Sequence, residues 1–150
     1  MSDRKEIIRK KSILLNMKKQ IEKITSVSTI DFIEAESDEI SRYAENISEL
    51  HRYSYPRLCT KKVDGDNNKL IEWFLENLPF LKNDSIWLMP FEGKGVWWIK
   101  IKVHDCKKAL IELWEFGDIC IVDMESMNSF YIGINEANCE IALKQLKDVK

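Results

Sequence analysis

The apolar positions of this chain recur at a helical period through its first half and then switch to alternation. Over residues 4–25, Ile7, Leu14, Met17, Ile21 and Ile24 return at three-, four- and seven-residue steps among lysines, which predicts an amphipathic helix. The next stretch, "SVSTIDFIEA", fits neither period and reads as a short helix or an extended link. Residues 38–51 restore the helical pattern, with Ile40, Tyr43, Ala44, Ile47 and Leu50 in one stripe. Ser37 stands where an N-cap hydroxyl is needed, and Asp38 and Glu39 occupy the first turn, where carboxylates suit the helix dipole. Beyond Pro56 and the loop "KKVDGDNN", Asp66 or Asn67 can cap a third helix over 68–78, on the stripe Leu70, Ile71, Phe74, Leu75 and Leu78.

From there the period is two. "SIWLMPF" (85–91) and "GVWWIKIKV" (95–103) read as strands joined by the glycine-containing connection "EGKG". Adjacent Trp97 and Trp98 then point to opposite faces. Trp97 goes with Ile99, Ile101 and Val103 toward a core. Trp98 goes with Lys100 and Lys102 on a wetter face, covered either by a helix of the same chain or by a second protein. "HDCKKALIELWEF" (104–116) reads as a helix, "DICIVDM" (118–124) as a central strand apolar on both sides, and "SFYIGIN" (129–135) as its partner through the turn "ESMN". "EANCEIALKQLKDV" closes the pattern as a helix.

The order α-α-α-β-β-α-β-β-α predicts an α+β fold: about four mostly antiparallel strands with helices packed on one face. At 150 residues one domain is expected, with a helical part over 1–80 and a sheet-containing part over 84–150. A weak boundary falls near 58–66.

Composition narrows the function classes. The five tryptophans are many for this length and should anchor a core or an interface. The charged start "MSDRKEIIRKK" lacks the apolar region of a secretory signal, and no stretch approaches the roughly 20 apolar residues of a membrane span. Cys59, Cys106, Cys120 and Cys139 are widely spaced with no CxxC pair, which fits reduced thiols in a cytoplasmic protein rather than a disulfide framework. Net charge is −2, unevenly placed. Residues 1–24 hold eight basic and three acidic side chains, net +5, and residues 25–50 hold one basic and seven acidic, net −6. A nucleic-acid partner is therefore not expected, whereas local fields are.

No motif marks an active site. "DGDNN" begins like a calcium loop, but Lys69 and Leu75 stand where glycine and a bidentate glutamate are needed. "EGKG" lacks the first glycine and the hydroxyl residue of a phosphate-binding loop. The histidines and cysteines lack zinc-ligand spacing, so neither metal nor cofactor is expected. Glu34, Glu36, Asp38 and Glu39 could serve as acid/base groups only in a shaped cleft; in a polar run they better suit a basic partner. In "LHRYSYPRLC", Tyr53 and Tyr55 interleave with Arg52 and Arg57, the residue types enriched at protein interfaces.

A Trp-bearing strand, a helix ending in "LWEFGD", the strand "ICIVDMES" and the aromatic strand "SFYIGINE" make the chain from residue 86 onward similar to small bacterial immunity proteins, the partners of polymorphic and contact-dependent-growth-inhibition toxins. The resemblance implies a cytoplasmic protein that binds and blocks one toxin domain, with no catalysis of its own. For a basic nuclease as partner, the Asp123–Glu125 turn or the acidic run would be suitable. Exposure alone nominates Glu34, Glu36, Asp38, Glu39, Tyr53, Tyr55, Trp98, Asp123 and Glu125 as partner contacts. Two other readings stay open: a different interaction or regulatory domain docking through its basic first helix, and an enzyme built on the acidic cluster or on Cys59 with His51.

Overall fold

The computed structural model describes residues 2–52, 55–63, 65–90 and 96–146, with side chains for all of these but Ser2 and His51. Tyr53, the "EGKG" connection, Asp64, the His51 side chain and residues 147–149 of the expected closing helix lie outside the described residues.

Among the described residues, four helices and seven strands follow in the order α1 (Ser2–Ile21), β1 (Val27–Glu34), α2 (Asp38–His51), β2 (Cys59–Lys62), α3 (Asn67–Asn77), β3 (Ser85–Pro90), β4 (Trp97–Val103), α4 (Cys106–Trp114), β5 (Ile119–Asp123), β6 (Asn128–Asn135) and β7 (Asn138–Gln145). The strands form one antiparallel sheet in the order β1-β4-β3-β5-β6-β7-β2. The α+β class holds, but a sheet of about four strands does not: seven are present.

Each extra strand hides its period for a physical reason. β1 is an edge strand whose register shifts between Thr29 and Asp31, and its exposed positions outnumber its buried ones. A bulge breaks alternation, and a solvated edge needs little apolar residue. β2 has only four residues, Cys59 to Lys62, and they are largely polar. β7 stands where a helix is expected. Glu140, Ala142, Leu143 and Lys144 favour helix, but propensities differ by less than about 1 kcal/mol per residue. The eight-position ladder from Asn128↔Gln145 to Asn135↔Asn138 overrides them.

The sheet is covered on both faces, not on one as expected. On the first face, α1, α3 and α4 bring Met17, Ile21, Phe74 and Leu110 onto Trp87, Ile99, Ile121 and Phe130. On the second, α2 lays Ile40, Tyr43 and Ile47 over Ile33, Leu88, Trp98 and Val122. The neighbouring tryptophans are therefore divided between two helices of their own chain. Half-buried Trp97 packs with the first core and donates its Nε1–H to the Lys10 carbonyl of α1 at 3.0 Å. Trp98 is only 5% exposed, beneath α2.

Candidate protein-binding surface

The acidic segment is held by an unbroken set of backbone contacts. Glu34 ends β1 opposite Trp97 of β4. Ala35 N–H then donates to the Val96 carbonyl at 2.8 Å, and Ser37 N–H to the Glu34 carbonyl at 3.0 Å. Ser37 caps α2, its side-chain oxygen accepting from Ile40 N–H at 3.4 Å. Glu34, Glu36, Asp38 and Glu39 are all exposed along this strand–turn–helix junction. The chain thus carries a ridge of four exposed carboxylates on a junction tied by backbone and cap hydrogen bonds.

The far end of the same helix is tied down as well. Lys144 pairs with Glu49, and Arg57 donates through Nη1 to the Leu50 carbonyl at 2.9 Å and through Nε to Glu140 Oε2 at 3.0 Å. The Arg57 guanidinium also stacks 5.6 Å from the centre of the Tyr131 ring. At the acidic end, Lys100 donates to Glu39 Oε1 at 2.9 Å and Lys10 lies 3.8 Å from Glu34. Such half-exposed pairs add little stability, about 0–1 kcal/mol each, and they leave the ridge predominantly negative.

The other sequence candidates are scattered. Tyr55, half-buried, donates its hydroxyl to the Leu143 carbonyl at 3.2 Å on β7, near the opposite edge of the sheet from β1. With Pro56, Arg57, Leu58 and Leu143 it lines a shallow groove remote from the acids in sheet order. Glu125 is exposed and accepts from Ser85 Oγ at 3.2 Å. Two candidates are corrected outright. Trp98 is roofed by α2. Asp123 is fully buried and closes the β5–β6 turn by accepting from Ser126 N–H at 3.3 Å and Oγ at 2.5 Å. Neither presents a side chain to a partner.

Glu45, exposed on the outer side of α2, extends the acidic surface and was not among the candidates. Its position opposite the Ile40–Ile47 stripe is the signal that identifies it.

A cleft of about 90 Å³ opens where β3 and β5 part, lined by Met89, Pro90, Phe116, Asp118 and Cys120 among others. Burial pushes the thiols of Cys106, Cys120 and Cys139 up to about 12, away from nucleophilic thiolate. Cys59 is raised for the same reason. The four ridge carboxylates sit in solvent, without the dry cleft that acid/base work requires. Among the described residues no group of three or more His, Cys, Asp or Glu side chains is placed to hold a metal ion. None of the described helices is long and apolar enough to cross a membrane.

No protein-family model matches the chain, and neither a curated protein nor a solved structure matches it.

Proposed function

We propose that this chain is a binding protein of the immunity type, acting in the cytoplasm by covering the working surface of a basic toxin domain, for which a nuclease is the natural candidate. One observation carries the reading: Glu34, Glu36, Asp38 and Glu39 are exposed together on a junction fixed by β4 and by the Ser37 cap. A preformed line of like charge raises the encounter rate with an opposite charge and excludes partners of its own sign. The hydrogen bonds that tie this junction would also keep the ordering cost of association low.

The test is co-expression with the toxin domain encoded immediately upstream in the source genome. The wild-type chain should restore growth and co-purify with that domain. Charge reversal at Glu34, Glu36 and Asp38 should slow association, weaken its dependence on ionic strength and reduce rescue. Unchanged association rates for all three reversals would remove the ridge from the interface. Failure of the wild-type chain to bind or protect would remove the immunity reading.

A further inference from the structure

The first half of α1 is a second surface that the immunity reading leaves unused. Residues 3–9 are all exposed, and packing onto the body begins at Lys10 and Ile13. Ile8 and Leu15 are 59% and 61% exposed. Seven residues apart, they lie on one line of the helix. Arg4, Lys11 and Lys18 run along one side of that line and Lys5 and Lys19 along the other, all exposed. The result is an apolar ridge between two basic rows. Burying those apolar side chains against a complementary surface would be favourable.

The opposite charge lies next to it. Lys10, where α1 begins to pack on the body, is 3.8 Å from Glu34, so the acidic ridge starts beside the root of the basic arm. The acidic side also has an exposed apolar residue, Ile30, 48% exposed at the bulge of edge strand β1 and followed by Asp31. We propose that the arm docks on a second copy of this chain. A two-fold axis through the border of the two regions lays each arm on the partner's acidic ridge, and the contact is made twice. Pairing of arm with arm would set basic rows against each other. An anionic lipid surface would attract the arm but repel the carboxylates beside it. Self-association therefore fits both halves of the surface, where a membrane fits only one. It occupies the same ridge as the proposed toxin contact but depends on the purified chain alone.

The experiment is sedimentation velocity on the wild type, on R4E/K11E, on E36K/D38K, and on an equimolar mixture of the two variants, at low and high salt. All four substituted positions are exposed, and circular dichroism checks the fold. The wild type should dimerise at low salt and dissociate as salt rises. Each variant alone should dimerise at least about tenfold more weakly, because both of its contacts become repulsive. The mixture should recover a dimer, since the reversed arm then meets the reversed ridge in one contact and the native arm meets the native ridge in the other. A monomeric wild type at low salt, variants that dimerise like the wild type, or a mixture that stays monomeric would each overturn the proposal. So would a monomeric wild type that binds phosphatidylserine vesicles through the arm.

Discussion

Asp123 and Glu112 are carboxylates whose titrations run in opposite directions. Burial raises the Asp123 carboxyl above the ordinary Asp range despite the Ser126 hydrogen bonds, and no hydrogen bond to its Oδ1 is present among the described residues. Ionisation of Asp123 therefore weighs against the fold at neutral pH, and that cost is relieved as pH falls through its raised value. Burial also acts upward on Glu112, but hydrogen bonds from Ser26 and Thr25 outweigh it and hold the carboxyl below its usual range. Its contribution is present above the ordinary Glu value and is lost on acidification. Melting curves from pH 7 to pH 3 should show wild type gaining on Asp123→Asn as pH falls, and losing its lead over Glu112→Gln. Trp98→Ala should cost about 3–5 kcal/mol in chemical denaturation, and more than Trp97→Ala, whose indole is partly exposed. The sequence pattern points the other way because Lys100 and Lys102 share the Trp98 face. Those lysines do not describe the whole face. α2 crosses above Trp98, Lys100 reaches along the helix edge to Glu39, and only Lys102 is fully exposed. The acidic run was legible because charge clusters stay solvated. The Asp123 turn was not, since an aspartate that faces solvent and one that closes a turn look alike in sequence.

Elements whose burial follows a single period could be read directly; those shaped by distant pairing could not. α2 and α3 form around the stripes and caps expected of them, with Ser37 and Asp66 accepting from Ile40 N–H and Lys69 N–H. The β3 and β4 pairing also follows its alternation. β1 and β2 owe their conformation to β4 and β7, strands distant in sequence, and β7 to its hairpin with β6. Gly133 on β6 gives a test of such a contact. A Cβ placed there would collide with the Tyr131 hydroxyl, which donates to Asp118 Oδ2 at 3.0 Å. Tyr131 folds back over its neighbour two residues along the same face, and only glycine leaves it room. Gly133→Ala should cost about 1–3 kcal/mol by forcing the ring off Asp118 and out from under Arg57. In a Tyr131→Ala background the same change should be nearly neutral. A double-mutant cycle in urea separates this steric coupling from any intrinsic penalty of alanine in the strand.

At the scale of the whole molecule, α1 has two parts that should respond differently to truncation. Its second half belongs to the core: Met17 is fully buried, Ile21 is 6% exposed, and the Lys10 carbonyl receives the Trp97 indole. In its first half, residues 3–9 are all exposed. Removing residues 1–9 keeps Lys10 and deletes, among the described residues, no buried side chain, so the unfolding free energy should change by no more than about 0.5 kcal/mol. Removing residues 1–21 opens the first face above Trp97 and β4. Each large buried side chain lost there costs about 2–5 kcal/mol. Set against a typical total of about 5–15 kcal/mol, that loss should leave little or no cooperative transition. Urea denaturation of the two truncations checks the division. The shorter truncation has a second use, because it removes Arg4, Lys5 and Ile8 without disturbing the acidic ridge. A chain that keeps its full stability and its affinity for a basic partner, yet no longer dimerises, would assign the arm to self-association alone. If the shorter truncation instead lost most of the stability, residues 3–9 would be part of the core packing, and their exposure would not describe the folded protein.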